Sequence, residues 1–387
     1  MAEKSVELFP ELALGKEPEY TTGVLPSQAI RSLVTAERIR SRTAITEEQI
    51  QPASLDLRLG PVAYRVRASF LPGKGSTVER RIQDLKIAEL GLNKPAVFEK
   101  GCVFIVPLLE ELALPAEISA QANPKSTTGR LDIFTRLITD FGVEFERVPR
   151  GYRGRLYAEI VSRTFPVEVC AGMKLNQLRF VRGNPPSYDS QLVELDERES
   201  LVFEDDDSPA QAVIDRGLRI SVDLQGNGDS EIVAFKGKRS APKIDLAKRD
   251  VYDWREFWDA VYTPSTKNMI LDPGDFYLLA SKEKIRIPPT YAAEMVPFDP
   301  SMGEFRVHYA GFFDPGFGYG SKDISGTKAV LEARAHEVPL LLEDRQVVGR
   351  LMYGRMLAVP DKIYGVEIGS SYQQQGLALS KQFKRTW

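Results

Sequence analysis

Cysteine and histidine are scarce in this chain, which has two of each: Cys102 and Cys170, His308 and His336. A closed zinc site takes four nitrogen or sulfur ligands and a catalytic one usually three, drawn from short, regular spacings. Here the histidines lie far from both cysteines in sequence, and neither a Cys-x-x-Cys nor a His-x-Glu element occurs. Zinc catalysis is therefore not expected, and nucleophilic triads are starved by the same shortage. Chemistry must lean on carboxylates, arginines, hydroxyls and backbone groups. Each cysteine sits in an apolar stretch, around Val103–Val106 and Val167–Val169, and reads as a small buried hydrophobe rather than half of a disulfide.

Long apolar runs are missing too. The longest, near Val103–Leu109, falls well short of the roughly 18 residues a spanning helix needs. The acidic opening Met1–Glu7 does not read as a secretory signal, so the expected setting is cytoplasmic and reducing. With Lys and Arg numbering 51 against 54 Asp and Glu, the net charge is only -3. That balance gives no sign of a nucleic-acid tail or a membrane-seeking surface, and neither partner is expected.

What is present begins with size. A chain of 387 residues, 43% hydrophobic and 27% charged, has material for two or three folded domains. An internal repeat organises them. Val97–Ile105 resembles Ile270–Leu278, Leu114–Pro115 answers Ile287–Pro288, and Glu159 falls on Glu332, all at an offset of 173. An earlier pair, Ser54–Leu57 and Ser221–Leu224, is offset by 167. Such a period is too long for a solenoid and describes a tandem duplication, divided into residues 1–200 and 201–387.

Within each copy, short alternating or apolar runs are punctuated by 29 Gly and 25 Pro, which predicts many short strands in jelly-roll or barrel sheets. A helix is expected over Leu25–Val34, with Ser27 as its cap and Ile30, Leu33 and Val34 on one face. A second is expected over Tyr252–Val261. Asn184–Ser187 and the acidic Glu204–Pro209 read as exposed connection between the copies.

Three segments carry the chemistry: Gln51–Gly60, Lys125–Arg130 (Lys-Ser-Thr-Thr-Gly-Arg), and Glu159 within an apolar strand. The second copy adds Ala310–Phe317, Glu332 and a tail, Tyr372–Gly376. Cations and hydroxyls around a Gly-containing turn suit phosphate oxygens, although the same composition also makes a plain polar loop. A carboxylate on a partly dry strand gains proton affinity, as a general acid and base requires, although an outward-facing strand glutamate reads the same way.

Together these motifs resemble the deoxycytidine triphosphate deaminase family, within the deoxyuridine triphosphatase-like superfamily, in its long two-copy bacterial form. The resemblance covers nearly the whole chain. It implies a mostly β protein of two tandem domains of the β-clip or jelly-roll type with a few short helices. It also implies hydrolysis of dCTP to dUTP and ammonia without zinc, magnesium arriving on the substrate triphosphate, and assembly as a homo-oligomer, with a trimer as the expected form. By the same resemblance Lys125 stands where the family has its first Arg, Ser126 and Thr127 are the hydroxyl pair, Arg130 is the catalytic Arg, and Glu332 or Glu159 shuttles protons. Ala310, Gly311, Asp314, Tyr372, Gln374 and Gln375 bind substrate, with the tail as a lid whose removal before Ser370 leaves the fold intact.

The copies depart from that pattern in complementary ways. The first keeps Lys125–Arg130 but carries a long Thr139–Pro149 segment in place of the compact turn of Ala310–Phe317. The second keeps the turn but has Glu304 where an Arg is expected. The expectation is therefore one composite site, with Ser126, Thr127 and Arg130 facing Glu332, Ala310 and the tail, and with Glu159 a relic. Two other readings compete: a dUTP diphosphohydrolase with Asp314 as base, or a bifunctional deaminase and diphosphatase, and, in another class, a non-catalytic nucleotide-binding protein.

Overall fold

The computed structural model describes residues 21–185, 187–226, 231–296, 305–307 (backbone only), 311–320, 322–335, 337–365 and 376–385. Strands dominate, and the helices are short. In the first copy, Lys174–Arg182 pairs with Ile118–Pro124 on one side and with Gly23–Val24 and Leu55–Arg58 on the other. A second sheet runs Lys86–Gly91, Val62–Val66, Val103–Ala113, Arg153–Ser162, Ile133–Thr139. The second copy repeats both. Leu218–Ser221, Val347–Arg355, Tyr291–Met295 and Phe312–Phe313 form one sheet, and Trp258–Tyr262, Ile232–Gly237, Tyr277–Ile285, Thr327–Ala335 and Phe305–Val307 the other.

Register makes the duplication quantitative. Glu159 lies opposite Ile105, and Glu332 lies opposite Leu278; both partners differ by the offset of 173 seen in the sequence. The strands Lys174–Arg182 and Val347–Arg355 correspond at the same offset. The earlier offset of 167 does not hold. Leu55 pairs with Leu178 and Leu218 with Leu351, so Asp56 corresponds to Arg219 rather than Asp223. Pairing fixes which residues face each other, and a similar tetrapeptide four residues downstream cannot override it.

Several local expectations change. Tyr252–Val261 is not a helix: a single 3-10 turn, Trp254–Glu256, leads into the strand Trp258–Tyr262. Its aromatic residues are used between the copies, where Phe165 meets Trp258 edge-on at 5.1 Å and Phe257 at 5.9 Å. The first helix forms as Ser27–Thr35, but Pro26 takes the cap position and the Ser27 hydroxyl donates instead to Asp361 of the second copy. Helix Asp189–Glu199, placed with the first copy by a division at 200, packs Leu192 and Leu195 into the second core. The acidic connection is exposed over residues 205–209 as expected, with Asp205 reaching Lys282 at 3.1 Å and Lys328 at 2.8 Å. Cys102 and Cys170 are free and only half-buried.

The two copies share one interface. The first core takes in Phe235, Trp258, Phe276 and Phe383 from the second half. Across it, buried Arg334 donates to Asp132 and, at 2.9 Å, to Thr164, whose hydroxyl donates to Asp132 at 2.6 Å. A buried cation so matched to a carboxylate and a hydroxyl fixes the relative placement of the copies. No helix among the described residues is long and apolar enough to cross a membrane.

Candidate active site between the two copies

The Lys125–Arg130 segment leaves strand Ile118–Pro124 as a single helical turn, Ser126–Gly129. It is pinned from the strand beside it: the Lys125 amide and the Thr128 hydroxyl donate to the Leu175 carbonyl at 2.9 and 2.8 Å. Lys125 Nζ lies 2.5 Å from Asp56 Oδ1. Buried Arg130 donates to the carbonyl of Ala378 at 3.1 Å, and Ser380 Oγ donates to the carbonyl of Thr127 at 2.9 Å. The carboxyl-terminal segment is therefore docked on the first copy's turn.

Opposite this turn stands the second copy's compact loop. Phe312–Phe313 pairs with Tyr291–Met295, and Asp314 follows it into a bend closed by Gly316. At φ 95°, and with the amide of Tyr364 only 2.9 Å from where a Cβ would sit, position 316 accepts only glycine without strain. Arg179, from the first copy, holds the loop. Its guanidinium donates to the carbonyls of Ala293 (2.9 Å) and Phe313 (3.3 Å) and to Asp314 (3.2 Å), and lies 4.0 Å from the centre of the Phe312 ring. Burial raises the proton affinity of Asp314, against the pull of Arg179.

Between turn and loop lies a cleft lined by Lys125, Ser126 and Arg130 from the first copy and by Gly311, Asp314 and Glu332 from the second. Its other walls are largely apolar, including Met295, Phe312, Phe317 and Val330. Desolvation there pushes the Glu332 carboxyl up to about 8, with the charge of Arg130 opposing. Such a group is mostly protonated at neutral pH and close enough to its titration point to exchange a proton in either direction.

Glu159 occupies the same register in its own copy but a different environment. Arg136, directly across the strand pair, donates to it from Nε at 3.0 Å and also from Nη2. That guanidinium is stacked between Phe134 and Phe145, 4.6 and 3.6 Å from their centres. Phe145 comes from the long segment that separates Thr139 from Arg147. Strand pairing aligns Arg147–Gly151 with Phe312–Gly316, so Pro149 stands where the second copy has Asp314. Glu159 is consumed internally and does not line the cleft.

Thr127 lines a wider groove continuous with the cleft. Ala310, Tyr372, Gln374 and Gln375, as well as Glu304, His308 and His336, lie outside the described residues. Beyond Gly376 the tail is not a detachable lid: Leu379 and Phe383 are buried in the core, so truncation before Ser370 removes packing as well as Arg130's carbonyl partner. Among the described residues no three His, Cys, Asp or Glu side chains form a group able to hold a metal ion. Sequence reading passed over Arg179, whose signal is a lone cation inside the apolar run Leu178–Val181, and the docking role of Ala378 and Ser380, which leaves no local signal.

Comparison with known proteins agrees with this architecture. Residues 21–184 match the family model for the 2'-deoxycytidine 5'-triphosphate deaminase (DCD) N-terminal domain, and residues 188–383 match that for its C-terminal domain. The solved 2'-deoxycytidine 5'-triphosphate deaminase from Agrobacterium tumefaciens superposes with a TM-score of 0.83 at 48% identity, covering 87% of this chain and 100% of that one. A dCTP deaminase, dUMP-forming, from Parafrankia sp. (strain EAN1pec) is 29% identical over 168 residues, 42% of this chain and 78% of that protein. Another so named, from Halobacterium salinarum, is 33% identical over 141 residues, 36% of this chain and 67% of that protein. With both of its halves matched in order and its fold shared along nearly its whole length, this chain belongs to the 2'-deoxycytidine 5'-triphosphate deaminase family.

Proposed function

We propose that the chain hydrolyses dCTP to dUTP and ammonia at the cleft between its copies, with Glu332 as general acid and base and no zinc. The observation that carries this reading is a desolvated carboxyl, raised to about 8, placed across a cleft from Arg130 and Ser126. Deamination at C4 of cytosine moves both protons of the attacking water, the first to the ring nitrogen as hydroxide adds to C4 and the second from the new C4 hydroxyl to the amine, which leaves as ammonia. One carboxyl near its titration point relays each proton in turn and ends in the state in which it began. Arg130, fixed through Ala378, and the Ser126 hydroxyl orient the water and stabilise the developing charge. Lys125 and Thr127 lie on the side where the triphosphate would extend, and magnesium travels on its oxygens as part of the substrate.

The test follows ammonia and pyrophosphate together during incubation with dCTP, CTP and dUTP, with and without a zinc-specific chelator. Ammonia from dCTP, unaffected by the chelator, is the expected result. Binding without turnover, or activity that tracks stoichiometric zinc, overturns it. A second reading, deamination coupled to release of pyrophosphate, is favoured by the dUMP-forming relatives and by Asp314, which lines both the cleft and the adjoining groove. Pyrophosphate appearing in step with ammonia would establish it.

A further inference from the structure

The cleft holding Glu332 opens past Ser126 into a wider groove that shares Lys125, Ser126, Phe312, Asp314 and Tyr364 with it. Four cations line it, Lys125, Lys174, Arg249 and Lys381, against two carboxylates, Asp56 and Asp314. Both carboxylates are already engaged, Asp56 by Lys125 and Asp314 by Arg179. The groove therefore carries an excess of positive charge beside the site of chemistry.

Lys381 is the member whose placement is least explained by the fold alone. Its neighbours anchor its backbone on both sides. Ser380 donates to Thr127, Gln382 Nε2 donates to the Leu246 carbonyl at 3.2 Å, and Phe383 is buried among aromatic rings. The Lys381 carbonyl itself accepts the Asp250 amide at 2.9 Å, which ties it to the chain next to Arg249. Lys381 is itself half-buried in this groove. Burial and the like charges of Lys125, Arg249 and Lys174 lower its proton affinity, and the carboxylate that acts on it, Asp56, already serves Lys125. Confining cations together costs stability in the empty protein, and a polyanion entering the groove relieves that cost.

We propose that Lys381, with Arg249 and Lys174 beside it, reads the outer phosphates of the nucleotide and so sets preference for the triphosphate over less phosphorylated forms. The inference rests on the proposed deamination, whose base end occupies the Glu332 cleft. It adds a second-copy contribution to phosphate recognition: the Lys125–Arg130 turn comes from the first copy, whereas Arg249 and Lys381 come from the second. Discrimination by phosphate count then depends on both copies.

The test compares wild type with Lys381→Met and Lys381→Arg on dCTP, dCMP and deoxycytidine, and measures binding of inorganic tripolyphosphate calorimetrically. For Lys381→Met, KM for dCTP should rise about 10- to 100-fold with kcat little changed, as expected for loss of one charge-assisted contact. Its kcat/KM for deoxycytidine should stay within about twofold, since uniform binding to the base end is untouched. Lys381→Arg should recover most of the loss, and tripolyphosphate should compete with dCTP and bind Lys381→Met more weakly. Equal losses on all three substrates, no loss at all, or non-competitive tripolyphosphate inhibition would overturn the proposal. Should Lys381→Met fail to fold, Arg249→Gln gives the same comparison. Wild type that releases no ammonia from dCTP sinks the deamination reading instead, while the tripolyphosphate measurement still decides the groove.

Discussion

Two glutamates at equivalent positions show how environment assigns a role to a side chain. Glu332 sits against apolar walls with Arg130 as its counter-charge, whereas Glu159 is locked to Arg136. Glu332→Gln should lose about 10² to 10⁴ in kcat with KM little changed. Glu159→Gln should leave kcat nearly unaltered and instead lower Tm, because Arg136 loses the carboxylate it pairs with. Reversal of that ranking in parallel assays would move catalysis to the first copy. Stability should also report on Glu332. Its folded carboxyl retains a proton between 4.5 and about 8 that the unfolded chain has released, so the folded state binds more protons and stability falls as pH rises through that window. Relative to wild type, Glu332→Gln should therefore gain stability progressively from about pH 5 to 8 and no further beyond it. Denaturant midpoints across a pH series check this, and a constant difference would show that the carboxyl is not held protonated.

At the scale of elements, the carboxyl-terminal segment acts as a strap across the duplication. Ala378 and Ser380 hold the Ser126–Gly129 turn and Arg130, and Phe383 inserts among Phe257, Trp258 and Tyr252. Phe383→Ala should cost about 3–5 kcal/mol by leaving a cavity, and calorimetry should show Tm falling. Because the strap also aims Arg130, activity at temperatures well below Tm should fall too. Full activity in a destabilised variant would separate packing from positioning. The loop Phe312–Gly316 plays the matching part on the other side, aimed by Arg179.

For the whole molecule, one working site per chain is the expectation, because Glu159 is paired with Arg136 and Pro149 stands where the second copy has Asp314. Calorimetric titration of inactive Glu332→Gln with dCTP should saturate at one nucleotide per chain; two equal sites would contradict the composite arrangement. Solution mass should correspond to three chains, as two superfamily domains in one polypeptide cannot close a three-domain ring. A fully active monomer in light scattering would remove assembly from the requirements.

The sequence by itself determined the duplication, the predominance of strands, the family and several residues that share one cleft. The 173-residue offset survives as strand register, and Lys125, Ser126, Arg130, Gly311, Asp314 and Glu332 line one cleft. These were legible because a repeat and a motif are local patterns. Tertiary structure decided what depends on partners remote in sequence. The aromatic run Tyr252–Val261 has a helix-like composition yet becomes a turn and strand, because its rings are worth more packed against Phe165 and Phe383 than along a helix face. Ser27 leaves its cap for Asp361, Arg179 crosses to the other copy, and Lys381 meets Lys125 across 256 residues of chain. That Glu159 is engaged by Arg136 and its neighbouring rings follows from strand pairing and a loop rather than from the residues around Glu159.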